Sequence, residues 1–446
     1  MKNAFHAYDI RGIYNKDFDK NDVYKIGFFI PQLLETKEII VGRDGRISSP
    51  EIHEYLLKGI TDAGADVYDI GQSTTPMVYF ATANYKFKAG VQITASHNSK
   101  EYNGLKISRE NALPVGYDSG LSKLEKMATE NEVVPVKEKG KVIKKYINDD
   151  YLQFQKKYVG NLSTLKFGVD CSNGAASLIV KELWEDAPMY INDVLDGNFP
   201  AHSPNPLLPE NTIQMQEFVK TNKLDVGLVF DGDADRVVFV DDKGRHVPPD
   251  LIIAAMGDWF FGKQKRNGIV IEDIRTSKSV SEYLQIYNAE VAMWKVGRAN
   301  AAPKLRDLDG LYGGEFAGHY YFKDFFYSDS GVLAASIVLQ VVETLKKEGR
   351  TFSMLIDEIR RYENSGEINF KIDDKVGAMN RVKDYFVSKA KPLAFFDFDG
   401  YRIEYSDWWF NIRMSNTEPY LRLLCEAKSK ELLDEKVKTI SALINQ

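Results

Sequence analysis

A basic surplus, a cysteine framework and a long apolar run are all missing from this chain of 446 residues. Its net charge of -6 argues against general nucleic-acid or membrane-surface binding, which relies on clustered basic side chains that displace counterions. An anionic small molecule stays possible if the positive charge is concentrated in loops. The only cysteines, Cys171 and Cys425, are too few for a disulfide scaffold and too far apart for a CxxC pair. Both read as inert core residues in a reducing compartment. The longest apolar stretch, Gly331 to Val342, runs into Glu343 and two lysines and falls short of the roughly 18 to 20 residues that span a bilayer. It reads as a buried helix. Met1 to Gly12 has no long apolar region and already carries Asp9 and Arg11, unlike a secretory signal. The expected location is the cytoplasm, with no membrane and no nucleic acid as partner.

What is present is ordinary globular material, 44% apolar and 27% charged, in a chain too long for one hydrophobic core. Apolar β-rich runs alternate with helical patterns, as in Glu38 to Gly42 before Pro50 to Ala63 and Phe167 to Asp170 before Ala175 to Trp184. Such alternation predicts βαβ units and covered mixed sheets, an α/β class. Three segments resemble one another: V-G-R-D-G-R-I-S-S from Val41, V-D-C-S-N-G-A-A-S from Val169 and I-E-D-I-R-T-S-K-S from Ile271. Each places a carboxylate after an apolar strand, then small polar residues, then a helix. Shared turn chemistry and true duplication both account for this. Charged Lys137 to Lys145, Pro248-Pro249 and Asn364-Ser365-Gly366 mark boundaries, which gives four domains at 1–147, 148–248, 249–365 and 366–446.

Four segments carry chemistry. In T-A-S-H-N-S-K-E-Y-N-G-L-K, Thr94 to Lys106, Ser96 follows an apolar strand beside His97, Asn98, Asn103, a flexible Gly104 and Lys106. Such a serine can carry a phosphoryl group if its proton is accepted and cations balance the charge. A polar turn whose hydroxyl caps the backbone serves an isolated Ser-His pair equally well. D-G-D-A-D-R, Asp231 to Arg236, lies between two apolar runs. Its alternate carboxylates Asp231, Asp233 and Asp235 repel one another unless they converge on a hard cation. A calcium helix-loop-helix requires Gly at its sixth position, where this chain has Arg236, and helices where the flanks read as strands. Magnesium is the expected ion. R-M-S-N-T-E-P-Y-L-R offers Arg413, Ser415, Asn416, Thr417 and Arg422, a donor set suited to a phosphate dianion. G-E-F-A-G-H presents Glu315 and His319 in a Gly-bounded turn.

Taken in order, these segments resemble the α-D-phosphohexomutases, the phosphomannomutase and phosphoglucomutase enzymes and their phosphoglucosamine relatives. Y-D-I-R-G from Tyr8, V-D-C-S-N-G-A-A from Val169, H-S-P-N-P-L-L-P-E-N from His202 and K-V-G-R-A-N from Lys295 extend the likeness over nearly the whole chain. The resemblance implies four domains around a central cleft, the first three related mixed α/β sandwiches and the last a smaller α+β domain. They bear in turn the phosphoserine, the metal, the sugar-recognition and the phosphate-anchoring loops. It further implies Ser96 as phosphoserine and Asp231, Asp233 and Asp235 as Mg2+ ligands together with Ser96. Tyr8, Arg11, His97, Lys106 and Arg236 would surround the transferred phosphoryl group. Lys295, Arg298, Glu315 and His319 would face the sugar, with Arg413, Ser415, Asn416, Thr417 and Arg422 anchoring the idle phosphate. Ser99 and Ala317 depart from the family's usual proline and serine.

The implied reaction interconverts hexose 1-phosphate and hexose 6-phosphate, of mannose or glucose, through a bound hexose 1,6-bisphosphate. Phosphoglucosamine is the alternative substrate. A metal-dependent phosphosugar phosphatase and a non-catalytic sugar-phosphate binder are the alternatives of other classes. His97, Lys106 and His319 are all candidate bases, and the expected assembly is a monomer or homodimer.

Overall fold

The computed structural model describes residues 1, 4–415 and 419–446. Its strands form four sheets, each drawn from its own stretch of chain. The first contains β1 (Ile10–Ile13), β2 (Glu38–Arg43), β3 (Asp66–Gln72), β4 (Ala89–Ile93), β5 (Tyr102–Arg109) and β6 (Val142–Lys144), in the order β1-β5-β4-β2-β3-β6. The second contains β7 (Phe167–Asp170), β8 (Met189–Ile191), β9 (Val226–Phe230), β10 (Val237–Asp241) and β11 (His246–Val247), in the order β11-β10-β9-β7-β8. The third contains β12 (Ile269–Asp273), β13 (Glu290–Trp294), β14 (Tyr312–Gly314), β15 (Tyr320–Phe322) and β16 (Ser328–Asp329), in the order β13-β12-β14-β15-β16.

These three sheets share one plan. A first strand (β2, β7 or β12) lies parallel between the second and the third, and a fourth returns antiparallel beside the third. The three similar segments in the sequence are the first strand of each plan and the turn after it. In each, the aspartate accepts a hydrogen bond from the backbone N–H two residues on, at 3.0 Å for Asp44 and 2.7 Å for Asp170 and Asp273. Turn chemistry and topology therefore repeat together.

One apolar core joins the three units. The helix Thr75–Asn84 of the first, β7 and β9 of the second and the helices Pro249–Gly257 and Gly331–Lys347 of the third contribute to the same cluster. The run Gly331 to Val342 is buried throughout, and each Val, Leu or Ile so buried stabilises by about 1.5–3 kcal/mol. Among the described residues no helix is long and apolar enough to cross a membrane. Cys171 and Cys425 are buried and unpaired, as expected.

The fourth sheet is built from β17 (Glu363–Asn364), β18 (Ile368–Phe370), β19 (Ala394–Phe396), β20 (Tyr401–Glu404), β21 (Trp408–Met414) and β22 (Leu421–Ala427), with helices Lys375–Lys389 and Lys430–Ile444 over it. It has its own core and meets the third unit through hydrogen bonds and a stack of Trp294 on Phe398, ring centroids 5.7 Å apart. Arg402 donates to Ile274 O and Thr276 O at 2.9 and 2.7 Å, and Ser277 Oγ donates to Glu426 at 2.9 Å. A separate core docked in this way marks the fourth unit as a domain of its own.

Gly104, read from sequence as a flexible link, is instead a strand residue opposite Arg11. A Cβ there would stand 2.0 Å from Ile10 O, so glycine is needed for room rather than for mobility. Gly104→Ala is expected to lower the free energy of unfolding by about 1–3 kcal/mol in denaturant titration; an unchanged midpoint would contradict this packing.

Glu272 on β12 is buried beside Arg402 and Glu404, and its Oε2 has no hydrogen-bond partner. Burial lifts its carboxyl from 4.5 to about 8. The folded chain thus keeps a proton that the unfolded chain releases, so stability present below 4.5 is lost as pH rises through about 8. Glu272→Gln should raise the thermal midpoint at pH above about 8 and leave it nearly unchanged near pH 4.5, measured by paired melts.

Candidate active site

The shared plan puts three loops in equivalent places. Ser96 lies in the β4–β5 connection, Asp231 to Arg236 in β9–β10, and Glu315 to His319 in β14–β15. Each follows the carboxyl end of the third strand, beside the point where strand direction reverses, the usual ligand edge of an open α/β sheet.

Ser96 adopts the left-handed conformation at φ +51° and is 1% exposed. Its Oγ donates to Asp231 Oδ2 at 3.0 Å and accepts from Arg236 Nη2 at 3.0 Å. His97 Nδ1 is 3.3 Å from the same oxygen and also meets Arg236 Nη2. Arg11 reaches Asn98 Oδ1 at 2.7 Å and pairs with Asp9. The loop and the acidic segment are therefore in direct contact.

Asp231, Asp233 and Asp235 are fully buried, and one oxygen of each lies within 4.8 Å of the others. Lys106 Nζ donates to Asp233 Oδ2 at 2.7 Å and also pairs with Asp235, while Thr75 donates to Asp233. Burial and the two neighbouring carboxylates push the Asp231 carboxyl well above its usual range. Burial and Asp233 also raise Asp235. Burial acts the same way on Asp233, but Lys106, Thr75 and Arg11 outweigh it and hold that group at about 2. Burial, followed by repulsion from Arg11, lowers the Arg236 guanidinium to about 9. Asp233 Oδ1 and Asp235 Oδ1 are buried with no hydrogen-bond partner. Two orphaned carboxylate oxygens in an all-oxygen, excess-negative loop fit a hard divalent cation.

On the third unit, Glu315 is buried rather than displayed on a turn. Its Oε2 accepts from Gly297 N at 3.1 Å, and its Oε1 accepts from Tyr321. Burial raises its carboxyl. His319 Nδ1 lies 2.8 Å from Asp329 Oδ2 and 3.8 Å from Asp235 Oδ1, and its backbone pairs with Arg236. Tyr8 crosses from the first unit to donate to Val296 O at 3.0 Å. Arg298 is committed inside the protein: it donates to Asp329 at 2.8 Å and Ala112 O at 2.9 Å, and lies 3.7 Å from the Tyr79 ring centroid. Lys295 is half-buried, with no hydrogen bond or ion pair to the described residues.

Arg413 and Arg422 face each other across β21 and β22. Like charges in that position repel, and each is drawn to a carboxylate, Arg413 to Asp399 at 3.8 Å and Arg422 to Glu367 at 2.9 Å. Asp399 accepts from Val296 N at 2.9 Å, which brings this hairpin beside the Lys295 loop. Ser415 N donates to Tyr420 O at 2.9 Å. Asn416 and Thr417 lie outside the described residues.

Arg46, Thr75, Arg275 and Asp329 lie outside the four chemistry-bearing segments. Arg46 and Arg275 both follow the strand-end aspartate by two residues, and both pair with it. The repeated segments displayed that Asp-x-Arg signal in the first and third units. Thr75 and Asp329 carry no local motif; only the fold brings them to the site.

Buried hydroxyl, acidic loop and arginines of this kind belong to multidomain α/β enzymes of phosphoryl transfer. Comparison with known proteins narrows the class. Models of phosphoglucomutase/phosphomannomutase α/β/α domains I, II and III match residues 2–133, 145–244 and 248–362, and that of the C-terminal domain matches 367–442. The chain belongs to the phosphoglucomutase/phosphomannomutase family, the α-D-phosphohexomutases. It is 36% identical to a phosphomannomutase of Methanocaldococcus jannaschii, over 99% of this chain and 97% of that one. To a phosphomannomutase of Escherichia coli K12 it is 35% identical, over 99% of both chains. A crystal structure of a phosphoglucomutase/phosphomannomutase family protein from Burkholderia thailandensis superposes with a TM-score of 0.90 at 26% identity, over 100% of this chain and 98% of that one.

Added Mg2+ is expected to raise the thermal midpoint, by a free energy near 2.7 kcal/mol at about 100 times the dissociation constant. The rise should vanish in a doubly substituted Asp233→Asn, Asp235→Asn chain. A wild-type midpoint indifferent to Mg2+ would contradict a cation site at this loop.

Proposed function

We propose that this protein is a phosphohexomutase that interconverts hexose 1-phosphate and hexose 6-phosphate, of mannose and glucose, using phosphorylated Ser96 and a retained hexose 1,6-bisphosphate. The observation that carries the reading is the Ser96 hydroxyl, buried and 3.0 Å from both Asp231 and Arg236. Full-length relatives named phosphomannomutase support the substrate class. Mannose and glucose phosphates rank ahead of glucosamine phosphate because G-E-F-A-G-H is nearer the phosphomannomutase/phosphoglucomutase pattern. The domains read from sequence, at 1–147, 148–248, 249–365 and 366–446, belong to this proposal, except that β17 at Glu363–Asn364 already pairs within the fourth sheet.

Substrate enters between the four units. Its reacting hydroxyl faces Ser96, and its existing phosphate takes the place of Asp399 and Glu367 as counter-ion to Arg413 and Arg422. Lys295, with no partner among the described residues, faces the sugar or its phosphate. Glu315 orders the Gly297 backbone beside it, and Arg298 holds the first and third units together. A divalent cation held by Asp231, Asp233 and Asp235 would supply positive charge against the phosphoryl oxygens.

In the first half-reaction the sugar hydroxyl oxygen attacks phosphorus. A new O–P bond forms as the Ser96 Oγ–P bond breaks, and the hydroxyl proton passes to His319, which Asp329 orients through Nδ1. The charge left on Ser96 Oγ is met by Arg236 Nη2. The bisphosphate then turns over. Ser96 Oγ attacks the other phosphate, and the sugar oxygen that leaves recovers the proton from His319. Protons and phosphoryl groups balance over the cycle. A second anion site on the fourth unit distinguishes a mutase from a phosphatase, which needs one phosphate pocket and an admitted water.

The test is phosphorus NMR of the protein with Mg2+, catalytic bisphosphate and, in turn, mannose, glucose and glucosamine 1-phosphates. The 6-phosphates of mannose and glucose should grow in. Free phosphate without isomer would sink the mutase reading in favour of a phosphatase. Ser96→Ala should cut turnover by at least about a thousandfold.

A further inference from the structure

Arg46 has no place in the reaction just described, yet its side chain is fully buried against the loop that carries Ser96. One side of its guanidinium covers four backbone carbonyls of that loop. Nη2 donates to Ser96 O at 2.8 Å and Asn98 O at 2.7 Å, and Nη1 to Ser99 O at 2.8 Å and Tyr102 O at 3.0 Å. Nε is left for Asp44 Oδ2 at 3.1 Å. Asp44 is itself fixed by Ser49 Oγ at 2.6 Å and by the Arg46 backbone N–H at 3.0 Å. The Phe199 ring of the second unit lies 5.0 Å from the guanidinium carbon.

The same carbonyl sits at a junction. A Cβ on Gly232, in the acidic loop, would stand 2.5 Å from Ser96 O. Ser96 O is therefore wedged between Arg46 and the Gly232 backbone, while Ser96 Oγ points to Asp231 on the other side. A serine in left-handed conformation is strained and persists only where its surroundings over-determine it. Arg46 contributes to that determination through its bonds to the Ser96 and Asn98 carbonyls. Ser99, which stands in place of a stiffening proline, has its carbonyl held by Arg46 and by Tyr102 N at 3.1 Å.

We propose that Arg46 is a positioning residue for phosphoryl transfer, whose guanidinium holds the Ser96 loop in the turn that presents Oγ to Asp231 and Arg236. The inference rests on Ser96 being the phosphoryl carrier. It predicts that charge alone does not suffice. A lysine ammonium at this place is a single point of three donors and cannot cover two pairs of carbonyls in one plane.

The experiment compares wild type with Arg46→Lys in the full chain. It measures kcat and KM for hexose 1-phosphate, the thermal midpoint, and the rate at which hexose 1,6-bisphosphate loads a phosphoryl group onto Ser96, followed by intact mass. Arg46→Lys should lose at least about a hundredfold in both kcat and loading rate, with KM within about threefold and a thermal midpoint lowered by several degrees but not collapsed. Arg46→Ala should recover part of its loading rate with added guanidinium. Wild-type loading by Arg46→Lys overturns the inference. So does a loss matched by collapse of the thermal midpoint, with no guanidinium rescue, because the residue would then serve only the fold. A wild type that loads Ser96 but isomerises no hexose phosphate would refute the mutase reading and leave this one to be decided by the loading rates.

Discussion

Three carboxylates buried at one point are the constraint on which the rest of this structure depends. Asp231, Asp233 and Asp235 cannot share a solvent-free loop without counter-charge, since each unpaired buried ion costs several kcal/mol, on the order of that for any desolvated charge. The chain meets part of the demand with Lys106 and Arg236 and leaves two oxygens open. That surplus fits the loop to a cation, and the Ser96 hydroxyl lies within 3.0 Å of it. A phosphoryl group on Ser96 would arrive with its own negative charge at a point already ringed by Arg11, Lys106 and Arg236. The acidic loop thus makes the site attractive to a cation, and the cations around it make the site tolerant of phosphate.

The fold explains how residues so far apart in sequence reach that point. Three units wound on the same plan place their third-to-fourth strand connections side by side, so the Ser96 loop, the acidic loop and the Glu315 to His319 loop are versions of one structural position. A continuous apolar core locks these units to one another. The fourth unit is different. It has a separate core and meets the third unit through hydrogen bonds and a ring stack, so its packing is largely independent of the other three.

Much of this was legible in the residues themselves. Alternating apolar runs gave β2 and β7 nearly to the residue, and the Asp-Gly-Asp-Ala-Asp-Arg spacing pointed to a cation because like charges at alternate positions repel without one. Other features were not local. Glu315 looked like a displayed carboxylate, but Gly297 and Tyr321, brought in by tertiary packing, bury it. Arg298 looked like a substrate contact, but Asp329, Ala112 and Tyr79 occupy it. Gly104 looked flexible, but its lack of a side chain makes room for the Ile10 carbonyl. Each of these depended on a neighbour from a distant part of the chain, which no window of sequence displays. Arg46 was visible in the repeated Asp-x-Arg turn, yet its four carbonyl partners exist only once the loop is folded over it.

The central claim is that one phosphoryl group leaves Ser96 and a different one returns. A single-turnover experiment with radiolabelled phosphate on Ser96 and unlabelled hexose 1-phosphate tests it most directly. The account predicts that the label appears at the 6-position of the sugar while the substrate's own phosphate is recovered on Ser96, with no label in free phosphate. Label that stays on the protein through turnover, or that emerges as inorganic phosphate, would contradict it.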